Sequence, residues 1–293
     1  MNPRSPAAAR LLAAAAACAV AFCVTWLLFV RTSTGQWLDG ELLPRSEMGG
    51  SYAQPTILLG PATQALGLFG DRLLLGTTVA VLAVVAVLTR RLWAGVAGVA
   101  LFVCSAAAAG LAKETLQRPE LGVLGSSTHN SFPSGHVTAA AALLLGFMLV
   151  LPARARWWLA VPGTTGVSVI AAATMIVGWH RFSDVVGSLL LVATLFCVAA
   201  AALSRLPGQE VRPEDDDSAV TGLLLQAIAL TLLVMLSLAL APDAGLRLLL
   251  AIVAVSGTTL VVVSGALWLA QPAIAPAQED AEPTNEYSDT RRR

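Results

Sequence analysis

The chain has 293 residues, 56% of them hydrophobic and 12% charged, with a formal net charge of 0, and its mean hydropathy is +0.74. Soluble domains run at roughly 45–50% apolar and about 25% charged, so composition excludes an ordinary soluble domain. It also excludes a nucleic-acid binder, because no basic tract is long enough to follow phosphates. Fifty-six per cent of 293 is about 164 apolar residues, material for about eight helical spans of about 20 residues each.

Charge-free apolar runs occur at 11–30, 73–89, 92–112, 137–153, 157–179, 185–204, 220–241 and 248–270. An ionised group at mid-bilayer costs at least about 2.5 kcal/mol, so such empty interiors are what spanning helices show. The runs are long, continuous and without alternation, which argues against strands. The expected fold is an all-α polytopic bundle of about eight transmembrane helices. The first run follows Arg4 and Arg10, but no small-x-small site precedes Arg31, so it reads as an uncleaved span rather than a signal peptide. The stretch 53–70, broken by Pro and Gly, reads as an interfacial or re-entrant helix. The expected organisation is a six-span core over 1–204, an acidic cytoplasmic linker over 205–218, a transmembrane hairpin over 219–270 and a disordered tail over 271–293. Asp215, Asp216 and Asp217 in the linker read as a solvated hinge rather than a metal site.

With the N-terminus in the cytoplasm, 11 basic residues fall inside and 7 outside, of the 18 in the chain. This follows the positive-inside rule loop by loop. It predicts a multi-pass cell membrane protein of bacterial character, with both termini cytoplasmic. The 31–72 and 113–136 segments and the 180–184 turn then share the extracytoplasmic face. All three histidines lie there: His129, His136 and His180. Lys113, the single lysine, and Arg118 stand at the other end of the 113–136 loop. The four cysteines sit in apolar runs without metal-ligand spacing and read as packing residues.

Pro133-Ser134-Gly135-His136 opens the fourth span. Proline at a first-turn position pre-sets the helix angle, and glycine keeps the backbone uncovered. Unpaired N–H groups at a helix start suit an oxyanion, and His136 one turn in suits proton donation. His180 and Asp184 are four apart. If helical, that spacing puts both on one face, with the carboxylate orienting one imidazole nitrogen and leaving the other as a nucleophile. The bland alternative is a helix cap beside an interfacial Trp179. Lys113 and Arg118 read either as snorkelling anchors or as a phosphoryl clamp, with a bidentate fork from Arg and a compact charge from Lys. His129 reads as an exposed loop residue.

KETLQRP, SFPSGH and GWHRFSD, each between spans, resemble in order the three motifs of the type-2 phosphatidic acid phosphatase superfamily, membrane lipid-phosphate phosphatases. The resemblance covers about residues 70–205. It implies that His180 is the nucleophile of a phosphohistidine intermediate, that Asp184 orients it and that His136 protonates the leaving group. Lys113, Ser134 and Gly135 would bind the phosphoryl group, with no metal and no cofactor. Two positions depart from the family pattern. The Arg-Pro of the first motif is expected at 120–121, where Glu120 and Leu121 stand, and Arg118-Pro119 comes two residues early. The arginine expected six residues before His180 is Thr174. Arg118 reaches the same oxygens from a shifted turn in this reading. Arg181 either replaces the other arginine or anchors a headgroup.

The implied partners are a lipid phosphate substrate and membrane lipids, with no nucleic acid. Phosphatidic acid, phosphatidylglycerophosphate and polyprenyl phosphates or diphosphates all fit an anionic head on apolar chains. Two rival readings keep the fold: a catalytically weak relative acting as a scaffold, and a polyprenyl-phosphate transferase. A transporter is disfavoured because the mid-span regions lack charges.

Overall fold

The computed structural model describes residues 6–42, 57–123, 130–206 and 244–274, and among these every regular element is helical. In chain order they are α1 (Pro6–Thr25, continued by a π-helical turn over Trp26–Val30), α2 (Ser33–Glu41), α3 (Leu59–Phe69), α4 (Arg72–Leu88), α5 (Leu92–Thr115), α6 (Gly135–Val150), α7 (Ala153–Ile176), α8 (Phe182–Leu203) and α9 (Ala244–Ile274). The chain is thus an all-helical polytopic bundle. His129, the Asp215–Asp217 run, the expected span at 220–241 and the tail from 275 lie outside the described residues.

Five stretches are long and apolar enough to cross a membrane: Ala7–Val30, Leu92–Thr115, Trp158–Ile176, Phe182–Leu203 and Leu246–Ala270. A sixth forms if α3 and α4, bent by 56°, count as one broken span. Of the eight expected spans, five or six are met among the described residues, and the one at 220–241 lies outside them. α6 falls short because its 16 residues rise only about 24 Å, less than the roughly 30 Å of a hydrocarbon core. Within the stretch 53–70, expected to be interfacial or re-entrant, α3 covers Leu59–Phe69. It buries Ala62 and Leu66, packs on α7, and ends at Gly70, where Asp71 caps α4 by accepting the Leu74 N–H at 2.8 Å.

α8 is the central helix and touches α1, α5, α6 and α9. Its buried positions, among them Val185, Leu189, Val192, Phe196 and Ala200, follow helical spacing. Small residues let α5 approach α6: a Cβ on Gly98 would stand 3.1 Å from the Gly146 carbonyl oxygen, and one on Gly146 would stand 3.3 Å from that of Gly98. Large apolar side chains such as Leu27, Leu73, Leu88, Trp93, Val96 and Trp158 point outward. A surface of this kind suits lipid rather than water.

The two ends of α6 differ in charge. At its C-terminus Arg91 donates to the Leu149 and Leu151 carbonyls at 3.3 and 3.0 Å, and Arg156 Nε donates to that of Leu151 at 2.9 Å. Cations there complement the negative end of the helix dipole. Its N-terminus begins at the Ser134-Gly135-His136 turn, at the opposite end of the bundle.

Candidate functional site

Ser134 is the N-cap of α6: its Oγ accepts the Val137 N–H at 3.4 Å. Pro133 therefore precedes the cap and does not occupy the first helical turn, contrary to the sequence expectation. The reason is that Ser134 has extended backbone (ψ 120°) and supplies the side-chain acceptor a helix start needs. α8 fixes this turn from below. The Ser134 N–H donates to the Asp184 carbonyl at 3.2 Å, and the Ser188 hydroxyl lies 2.9 Å from the Ser134 carbonyl and 2.7 Å from that of Asp184.

The incoming loop is anchored by Phe132, fully buried against Phe22 with ring centroids 5.1 Å apart. Gly187 leaves the room it fills, since a Cβ there would stand 2.4 Å from Cε2 of the Phe132 ring. Gly187→Ala is expected to lower stability by about 1–3 kcal/mol, the usual cost of overpacking. A thermal melt in detergent checks this, and an unchanged midpoint would show that the ring adjusts freely.

His180 does not lie on α8. α7 ends at Ile176, Gly178 takes φ 77°, and the N–H groups of Trp179 and His180 both donate to the Thr174 carbonyl, at 3.0 and 3.2 Å. Arg181 is the N-cap of α8, and Asp184, three residues on, accepts its N–H at 2.8 Å. The same carboxylate oxygen, Oδ2, stands 3.4 Å from His180 Nδ1. The pair thus meets through N-cap geometry, not through the shared helical face that the four-residue spacing suggested. Thr174, at the position where the family pattern has an arginine, supplies its backbone carbonyl to this turn.

The remaining predicted residues converge on the same end of the bundle. Lys113, at the end of α5, approaches α6: a Cβ on Gly135 would stand 3.6 Å from Lys113 Nζ. Asn130 holds this arrangement by donating to the Lys113 carbonyl at 2.9 Å. His136 packs its ring 5.7 Å from that of Trp179, and a Cβ on Gly70 would stand 3.1 Å from His136 Nε2. His136 precedes the apolar stretch of α6. Burial first, then the neighbouring His180 and Lys113, lower its pKa below the usual histidine value.

Arg118 and Arg181 are both buried, at 6% and 5% exposure. Arg181 Nη1 donates to Ser131 Oγ at 3.2 Å. Among the described residues, nothing accepts from Arg118 Nε, Nη1 or Nη2, or from Arg181 Nε, and Asp184 Oδ1 is likewise unpartnered. Burial and then the neighbouring Arg181 guanidinium pull the Arg118 pKa below the usual arginine value, while Asp39 and Asp184 support its charge. Buried unpaired donors are costly, about 1–3 kcal/mol each and more when charged.

Asp39 of α2 belongs to this cluster and escaped the sequence analysis. It is fully buried and accepts from the Ser183 N–H at 3.1 Å and from the Ser183 hydroxyl. The chain offered only a weak signal, a polar nine-residue helix between two apolar stretches. No group of three or more His, Cys, Asp and Glu suited to a metal ion occurs among the described residues.

The described residues form a polytopic helical bundle with imidazoles, an ammonium and guanidinium groups gathered at one of its ends. Residues 102–207 match the family model described as PAP2 superfamily, so this segment is similar to the type-2 phosphatidic acid phosphatase superfamily. The superfamily is generally one of phosphatases, which points to phosphatase-type activity on phosphate esters. Neither the curated proteins nor the solved structures hold a match to the chain.

Proposed function

We propose that the chain is an integral-membrane lipid-phosphate phosphatase working through a phosphohistidine on His180. The observation that carries this reading is the set of buried guanidinium nitrogens that have no acceptor among the described residues, beside the His180–Asp184 pair. A tetrahedral oxyanion brings several acceptors at once. With neutral imidazoles, Lys113, Arg118 and Arg181 outweigh Asp39 and Asp184 by one positive charge, which favours a phosphoryl group.

With the proton on Nδ1 held by Asp184, His180 Nε2 carries a lone pair for in-line attack on phosphorus. The bond to the leaving oxygen breaks as His136 passes it a proton. In the second half, water attacks the phosphohistidine, His136 takes the proton, the P–N bond breaks and inorganic phosphate leaves. Lys113, Arg118, Arg181, the Ser134 hydroxyl and the N–H groups at the start of α6 stabilise the charge that builds on the equatorial oxygens. Ser134 fits this role because its Oγ accepts from Val137 and still has its own proton to donate.

The substrate class proposed is a phosphomonoester or diphosphate on an amphiphilic lipid: phosphatidic acid, phosphatidylglycerophosphate or polyprenyl diphosphate. The exposed apolar flanks of α3 and α4 near His136, with Leu68, Leu73 and Leu74 turned outward, give the acyl or prenyl chains a lipid-facing path. The arginines at the C-terminal end of α6 support an inside assignment for that end, leaving the site on the extracytoplasmic face of a cell membrane.

Phosphate release by detergent-purified protein, measured across those three lipids with excess chelator, tests the reading. Turnover of at least one lipid, unaffected by chelator and inhibited by vanadate, is the expected outcome. No release from any of the three would favour the scaffold reading.

A further inference from the structure

The helix α2 lies outside the family-matched residues 102–207, yet its buried face consists of Gly35, Gln36, Asp39 and Gly40. A helix that merely packs buries apolar side chains, and burying polar ones is costly unless each is satisfied. Here each has a specific partner. Gln36 is 1% exposed, and its Nε2 donates to the Val30 carbonyl at 2.9 Å and to the Pro119 carbonyl at 3.0 Å. Pro119 directly follows Arg118, whose guanidinium has no acceptor among the described residues. Asp39 holds the Ser183 N–H and hydroxyl, one residue from Asp184 and two from Arg181. The close seat of α2 requires glycine: a Cβ on Gly35 would stand 1.9 Å from the Leu28 carbonyl oxygen. Its far end is tied to α9 by Glu41 and Arg247, at 2.5 Å.

We propose that α2 braces the phosphate site, with Gln36 a positioning residue that acts through Arg118 and Asp39 one that acts through the start of α8. This rests on the phosphatase reading for its substrate, but the brace itself concerns only where Arg118, Arg181 and Asp184 stand. For Asp39 the hydrogen bonds, more than the charge, do the positioning. Burial and the nearby Asp184 push its carboxyl up to about 6, against the pull of Ser183, Arg118 and Arg181. A carboxyl whose charge is this easily surrendered still keeps both contacts to Ser183.

The test uses the full chain in detergent, with thermal melts and size exclusion to select folded variants. Gln36→Leu is expected to raise KM for a lipid phosphate about tenfold and the vanadate inhibition constant by a similar factor, with kcat changed less than about threefold. The reason is that a loosened Arg118 weakens binding more than bond-breaking. In an Arg118→Ala background the same substitution should add almost nothing, because two residues acting through one group are not additive. Asp39→Ala is expected to lower kcat per folded molecule about tenfold, and Asp39→Asn, which can still accept from the Ser183 N–H, to restore most of it. Full additivity of Gln36→Leu with Arg118→Ala, or equal losses in Asp39→Asn and Asp39→Ala, would overturn the brace. Should the wild type release no phosphate, vanadate binding followed by tryptophan fluorescence replaces KM. That result would sink the phosphatase reading while leaving the brace open to the same comparison.

Discussion

His180→Ala is expected to cut phosphate release by roughly four orders of magnitude or more, the scale on which loss of a nucleophile acts in covalent catalysis. His180 enters the site from a turn rather than a helix. Its backbone N–H is bound to Thr174, and its Nδ1 faces Asp184. Both contacts leave Nε2 free to act as the reacting atom in the proposed mechanism. Acid-labile phosphate trapped on rapidly quenched wild type and missing from His180→Ala would identify the intermediate. Equal turnover by the two proteins would end the assignment. Asp184→Asn should show a smaller loss, because the N-cap contact to Arg181 survives while the preference for the Nδ1 tautomer weakens.

His136→Ala is expected to cost about 10²–10⁴-fold, the usual worth of general acid–base catalysis. The loss should shrink with a nitrophenyl phosphate, whose leaving group departs without a proton. A loss of equal size for both substrates would make His136 a binding residue. The pH dependence carries a definite sign. His136 must start protonated, and burial, His180 and Lys113 lower its pKa. The free enzyme therefore loses the proton at a lower pH than an ordinary histidine would, and kcat/KM should decline as pH rises through that lowered value. A bound phosphoryl dianion stabilises the imidazolium, so the corresponding limb of kcat should lie at higher pH. Lys113→Gln, by removing one cation near His136, should move the kcat/KM limb upward even as binding weakens. A limb that stays in place would show that Lys113 does not reach His136 in the working enzyme.

The site's dependence on recessed charge also bears on the membrane. α6 is too short to cross a hydrocarbon core unaided, and its capped C-terminus carries Arg91 and Arg156. Were that end at the interface, the Ser134-Gly135-His136 turn would lie several ångströms below the opposite surface. Coulombic attraction for a phosphoryl group strengthens there as water is displaced. A substrate whose chains already sit in the lipid needs only a short movement to bring its head to this level.

Charge-free runs, arginine placement and motif order were enough, in the chain alone, to establish a helical membrane bundle and to single out His136, His180, Asp184, Lys113, Arg118, Ser134, Gly135 and Arg181. Such features are short-range: a span, a cap or a motif is written within about 20 residues. Even locally there were limits. A spacing of four does not distinguish a helical face from a cap, so the seat of His180 outside α8 and of Pro133 ahead of α6 had to come from the coordinates. Hydropathy also does not register that one apolar run is a 16-residue helix or that another is preceded by a 56° elbow. What tertiary structure alone decided is the company each charge keeps. Asp39 meets Ser183 across 144 residues and Gln36 meets Pro119 across 83, and Arg118 is buried without an acceptor among the described residues. Contacts of that separation depend on how helices pack against one another, which no local pattern encodes.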